Sequence, residues 1–251
     1  MRLSERLREF VSGLKKKHPG IFTFISARIS TKRFAGLPLT ILSFIFLFTA
    51  FLLSELIESV LNSTMLVYFD ETVAKLLYAS RITIVAQAMY AISYAGNEKV
   101  VAAIAITFSI ILAIRKRWMV ILTLWVTVAG SVLTILAGKH IFKISRPYAY
   151  SYYHVSLFSF PSGHASISIA FYGLLAYYFI RETKSLKIQH RILTSAIIFI
   201  FLVGFSRIYL CVHFFSDVVG GYFFGSLWLL LAISFFEWYE DKLKHRIQKP
   251  L

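Results

Sequence analysis

Residues 118–137 read WMVILTLWVTVAGSVLTILA, twenty positions without an ionisable side chain, set between Arg115-Lys116-Arg117 and Lys139. At 1.5 Å per residue a helix of that length is about 30 Å long, which matches the hydrocarbon thickness of a bilayer. The run reads as a membrane span, and the rest of the chain agrees with it. Of 251 residues, 58% are hydrophobic and 16% charged, with a mean hydropathy of +0.70. A soluble domain carries a charged share nearer ~25%.

Outward from this run, further stretches meet the requirement of about 17–25 mostly apolar residues. They are Leu37–Leu53, Asn97–Ile114, Gly163–Ile180, Ile192–Leu210 and Val218–Phe236. Ile82–Ala95 is apolar too, but its 14 residues between Arg81 and Gly96 are too few to cross, so it is expected to be interfacial or re-entrant. The expected fold is all-α, a polytopic membrane protein with six transmembrane helices and one interfacial segment.

The cations give an orientation, because short cytoplasmic loops are enriched in Lys and Arg. With both termini inside, 20 of the 27 cations fall on the cytoplasmic side: nine in residues 1–36, three at 115–117, four at 181–191 and four in 237–251. The net charge of +15 is thus mainly a topology signal, and no nucleic-acid partner is needed to explain it. Residues 1–36 lack the 7–15-residue apolar run of a cleaved secretory signal. They read as a retained basic cytoplasmic segment drawn to anionic lipid heads, and 237–251 as a basic cytoplasmic tail. The membrane domain covers 37–236. The lone Cys211 excludes an internal disulfide.

Against this background the placement of polar groups is informative, since ionisable side chains at membrane helix ends are rare and usually functional. Three segments concentrate them on one side of the bilayer: KHIFKISRP (139–147), PSGH (161–164) and SRIYLCVHFFSD (206–217). Lys139, Arg146 and Arg207 supply fixed cations, and an arginine fork suits phosphate oxygens. The PSG triplet opens a helix, where the backbone N–H groups of Ser162, Gly163 and His164 are expected to face outward toward an anion. Together these make a phosphate cradle without a metal. His213 and Asp217 stand four apart, so that the carboxylate holds one imidazole nitrogen and leaves the other to attack phosphorus. His164, from another segment, is placed to give the leaving oxygen its proton.

Taken singly, each feature has a plainer reading. Lys75, Lys99 and Lys143 are read as snorkelling to headgroups, and His140 and His154 as interfacial histidines. The Cys, Trp and Met residues read as packing, and Tyr148–Phe160 as part of the aromatic belt. Headgroup selection is expected from Tyr148–Phe160 and from Asp70–Arg81.

The combination Lys139-x6-Arg146-Pro147, Pro161-Ser162-Gly163-His164 and Ser206-Arg207-x5-His213-x3-Asp217 resembles the three-part signature of the type 2 phosphatidic acid phosphatase (PAP2) superfamily, with no position missing. The resemblance extends over about 37–236. It implies six spans with outward-facing motifs, a phosphohistidine formed on His213 and oriented by Asp217, and protonation of the leaving group by His164. It also implies phosphate held by Lys139, Arg146, Ser162, Gly163 and Arg207, with no metal ion or other cofactor. The expectation is a multi-pass lipid phosphatase of the bacterial inner membrane, acting on a phosphorylated lipid at the outer face. Undecaprenyl diphosphate is the first expected substrate, with lipid A 1-phosphate, phosphatidylglycerophosphate or a broad lipid range as alternatives. Vanadate-dependent haloperoxidases share the signature, but those relatives are soluble. A transporter or scaffold would also keep charges in the membrane, and it would tolerate His213→Ala.

Overall fold

The computed structural model of the protein describes Gly20, Ser26 and residues 28–31, 33–155 and 158–247. The basic segment expected over 1–36 lies mostly outside the described residues, as do Ser156, Leu157 and the last four residues of the tail. The described residues form helices and short connections, with no strand. The helices are α1 (Leu37–Asn62), α2 (Thr64–Ala79), α3 (Thr83–Tyr94), α4 (Glu98–Ile114), α5 (Trp118–Phe142), α6 (Gly163–Glu182), α7 (Leu186–Tyr209) and α8 (Phe215–Ile247). A short 3-10 turn, Tyr148–Tyr150, lies in the α5–α6 connection.

Five of these helices are long and apolar enough to cross a membrane: α1, α5, α6, α7 and α8 up to Lys244. The sixth expected span, α4, has 17 residues and passes that test only together with α3. The two are bent by 46° at the break Ala95–Asn97. With 12 residues α3 is about 18 Å long, short of the hydrocarbon thickness, as its apolar run suggests. Helix α2 was not among the expected elements. It is terminated sharply from α1 by Ser63, whose hydroxyl accepts the Leu66 N–H at 3.2 Å in the manner of a helix N-cap. Several helices outrun their hydropathy windows, α1 by nine residues and α8 by more than ten, because backbone hydrogen bonding continues where the side chains turn polar.

Backbone contacts divide the chain into two compact units: the described residues up to Leu47 with those from Glu237 onward, and Phe48–Phe236. In the first, the Asp241 carboxylate receives the Phe34 N–H at 3.5 Å and stands 3.8 Å from Arg33 Nε. In the second, Val101 and Ala105 of α4, Leu124 and Val128 of α5, Ile167, Phe171 and Leu174 of α6 and Ala232 of α8 form the largest core cluster. Lipid tails are as apolar as these side chains, so close fit rather than water exclusion holds such helices together. Small residues supply that fit. A Cβ on Gly221 of α8 would stand 2.9 Å from the Ala165 Cβ and closer still to the Ser162 carbonyl, so α8 lies directly against the start of α6. One widened turn, Ser168–Tyr172, interrupts α6 just after that contact.

Candidate active site

At one end of the unit Phe48–Phe236, four chain segments meet: the end of α5 with its following loop, the start of α6, the α7–α8 turn and the α3–α4 break. The first is shaped by Lys143, whose left-handed φ of 52° ends α5 while its N–H still reaches the Lys139 carbonyl at 3.1 Å. The loop leaves toward Pro147 and returns at Ser159, whose N–H donates to the Ile144 carbonyl at 2.8 Å. Lys139 donates to the carbonyls of Phe158 and Ser159, the latter at 3.2 Å, and Arg146 Nη2 donates to the Phe158 carbonyl at 3.1 Å. The two cations therefore brace the strand of chain that delivers Pro161-Ser162-Gly163-His164.

The α7–α8 turn is built on Arg207. Its carbonyl accepts the N–H groups of Val212 at 3.1 Å and His213 at 3.3 Å, while Cys211 takes a left-handed φ of 50° to reverse the chain. The Cys211 thiol is buried against the Ala74 carbonyl, and burial raises its pKa. Thus the reading of Cys211 as packing holds, with the added role of the tight reversal. The Arg207 side chain is 2% exposed and donates to the hydroxyls of Ser93 and Tyr153, with its guanidinium 5.7 Å from the Tyr153 ring centre.

His213 is buried at the centre. Its Nδ1 lies 3.3 Å from Asp217 Oδ2 and 3.4 Å from Ser159 Oγ, and its Nε2 lies 3.1 Å from Arg146 Nη1. A guanidinium donates and never accepts, so Nε2 carries the lone pair and Nδ1 the proton that faces the carboxylate. Asp217 Oδ2 also accepts the Phe214 N–H at 2.7 Å and the Ser159 hydroxyl, which fixes the carboxylate from two further directions. Burial, followed by the charges of Arg146, Lys139 and Arg207, holds the His213 pKa well below the ordinary 6.5. Burial and Arg207 also lower the pKa of Arg146, though guanidinium remains charged in proteins.

A cavity of about 250 Å³ opens over this cluster, lined by Lys139, Arg146, Gly163, His164, Arg207 and His213. Since a water occupies about 30 Å³ in the liquid, the space equals roughly eight waters and admits a phosphate with part of its ester group. All eight expected site residues are brought together, seven of them in direct contact with the cavity or hydrogen-bonded to a residue that is. Ser162 differs from expectation. Its N–H is taken by the Asp217 carbonyl at 2.9 Å and so does not face outward, because the start of α6 is stitched to the first turn of α8. The group it leaves over is its hydroxyl, which is fully buried and, like Arg207 Nε, has no hydrogen-bond partner among the described residues. A buried polar group left unpaired costs about 1–3 kcal/mol, and of these two donors only Arg207 belongs to a residue that borders the cavity.

Several positions escaped the sequence reading. Ser159 falls within the stretch that reads as an aromatic belt, although a serine two residues ahead of PSGH and flanked by phenylalanines is a visible anomaly. Ser93 and Tyr153 carry no sequence signal for their grip on Arg207. Asp70 was expected at the headgroup. Instead its Oδ1 accepts the Ser216 N–H at 3.1 Å and its Oδ2 the Ser216 hydroxyl, so that α2 caps α8 from outside, and burial raises its pKa. Arg81 likewise braces the Tyr150 carbonyl at 2.7 Å. His140 and His154 are exposed and outside the cavity, as expected.

The described residues thus form helices, several long and apolar enough to cross a membrane, whose ends gather three cations, two histidines and a carboxylate around one cavity. Residues 119–241, just under half of the chain, match the model of the PAP2 superfamily. Phosphatidylglycerophosphatase B of Bacillus subtilis (strain 168) is 35% identical over 136 residues, 54% of this chain, and the match spans 64% of that relative's length. The structure of a transmembrane PAP2 type phosphatidylglycerolphosphate phosphatase from Bacillus subtilis superposes with a TM-score of 0.69 at 26% identity, covering 79% of this chain and 96% of that one. Aquifex aeolicus LpxE shares the fold with a TM-score of 0.54 at 20% identity, over 66% of this chain and 94% of its own.

Proposed function

We propose that the protein is a metal-independent membrane lipid phosphatase that removes the terminal phosphate of a phospholipid through a phosphohistidine on His213. The observation that carries this reading is the orientation of His213, with Nδ1 toward Asp217 and Nε2 toward Arg146 at the cavity. When phosphate enters, Arg146 turns its donors to the phosphate oxygens and the Nε2 lone pair is released toward phosphorus. His164 takes up a proton as the negatively charged phosphate enters; Nε2 of His213 then forms the P–N bond as the bond from phosphorus to the ester oxygen breaks, and that oxygen takes the His164 proton. The phosphorylated ring keeps its Nδ1 proton and is cationic, and Asp217 balances that charge. Water then attacks phosphorus and gives its proton to the now neutral His164, the P–N bond breaks, and inorganic phosphate leaves His213 with its lone pair restored.

Lys139, Arg146, Arg207 and Gly163 hold the phosphate oxygens in this scheme, and Ser162, whose N–H donates to the Asp217 carbonyl, fixes the start of α6 against α8. The phosphatase domain is residues 37–236, and the site faces the outer leaflet of the cytoplasmic membrane, the side opposite most of the Lys and Arg. The two Bacillus subtilis relatives support phosphatidylglycerophosphate as substrate ahead of undecaprenyl diphosphate, which no relative here favours. The test is phosphate release from phosphatidylglycerophosphate by detergent-purified protein in EDTA. EDTA-resistant release that vanishes in His213→Ala supports the reading, and release abolished by EDTA or retained in the variant overturns it.

A further inference from the structure

The fourth wall of the cavity is the α3–α4 break, Gly96-Asn97-Glu98, which belongs to none of the three motifs. It is held close to His164. A Cβ on Gly96 would stand 3.2 Å from His164 Cδ2 and 2.7 Å from Val203 Cγ1, so the approach requires glycine there. Tyr172, eight residues after His164 on α6, donates its hydroxyl to the Ala95 carbonyl at 2.7 Å and fastens the break to that helix. Asn97 spends its side-chain oxygen on the Lys99 N–H at 2.9 Å, capping α4. The next residue, Glu98, stands exposed at the rim of the cavity that Lys139, Arg146, Arg207 and both histidines also line, and its carboxylate makes no ion pair among the described residues. A glutamate in the first turn of a helix favours the helix dipole, but that accounts for a carboxylate anywhere in the turn and not for one bordering a phosphate site.

We infer that Glu98 selects the substrate at its leaving group. This rests on the reading above, in which His164 protonates the ester oxygen. The part of the substrate beyond that oxygen then lies on the His164 side, where the α3–α4 break forms the wall. A carboxylate there accepts hydrogen bonds from the hydroxyls of a polyol headgroup and repels a second phosphate. The site accordingly takes phosphate monoesters of hydroxylated headgroups and discriminates against lipid diphosphates, in which a charged phosphate occupies the same place.

The experiment compares kcat/KM for phosphatidylglycerophosphate and undecaprenyl diphosphate, in the same detergent, for the full chain and for Glu98→Gln and Glu98→Lys. The wild-type protein prefers the monoester, and Glu98→Gln shifts the ratio toward the diphosphate by about tenfold, with Glu98→Lys shifting it further, as removal and reversal of a like-charge contact require. Loss of the dipole contact alone would lower both rates together and leave the ratio unchanged. An unchanged ratio in both variants, or a wild-type preference for the diphosphate, overturns the assignment of Glu98 while leaving the phosphatase reading intact. Absence of phosphate release from either lipid by the wild-type protein overturns the phosphatase reading itself, and the role of Glu98 with it.

Discussion

Asp217→Asn probes the pairing on which the proposed chemistry turns. The amide keeps the size of the side chain and an oxygen for the Phe214 N–H and the Ser159 hydroxyl, so the first turn of α8 is retained while the charge is lost. A unit negative charge 3.3 Å from an imidazolium contributes about 5 kcal/mol at an effective dielectric of about 20. The surrounding cations and local relaxation reduce the net effect to about 3–5 kcal/mol, or roughly 10²- to 10⁴-fold in the rate of phosphohistidine formation. The loss should fall on kcat with little change in KM, since the proposed phosphate ligands Lys139, Arg146 and Arg207 are untouched. Ser159→Ala, which removes one neutral hydrogen bond to the same oxygen, should cost only about 0.5–1.5 kcal/mol. Single-turnover phosphate release at saturating lipid measures both. A value of kcat for Asp217→Asn within about threefold of wild type would refute the idea that Asp217 supports a cationic phosphohistidine.

The depressed pKa of His213 has a defined sign: the neutral ring persists to lower pH, so if His213 is the nucleophile, as proposed, the acid limb of kcat/KM should lie well below pH 6.5, and an acid limb at or above 6.5 contradicts the proposal. Residual activity in Arg146→Gln should show that limb moved up toward 6.5, because Arg146 is the strongest of the charges acting on the ring. Asp70→Ala leaves the Ser216 N–H buried without its acceptor and should lower stability by about 1–3 kcal/mol in thermal unfolding in detergent, with a fall in kcat through the displaced start of α8. Gly221→Ala forces α8 off the backbone of Ser162 and should cost about 1–3 kcal/mol, whereas a variant as stable and active as wild type would contradict the close contact of α6 and α8.

The membrane character and the three motifs were legible because both rest on local sequence: uninterrupted apolar runs set the helices, and unusual charges at their ends mark the site. What the sequence hid was relational. Asp70 and Ser216 are 146 positions apart, and Arg207 meets Ser93 over 114, pairings that no spacing rule anticipates. Likewise the N–H of Ser162 looked available because it precedes a helix, and it is occupied only because α8 happens to pass there. The α3–α4 break was visible as a short apolar run ending at Gly96, but its place beside His164 depends on packing against Val203 and Tyr172.

The most direct test of the central claim is to quench the reaction with labelled phosphatidylglycerophosphate in alkali, where a phosphoramidate survives, and to locate the label on the protein by mass spectrometry. The account predicts phosphate on His213 alone, labile to acid and missing from His213→Ala. Steady turnover with no phosphorylated protein at any quench time, or label on another residue, would contradict it.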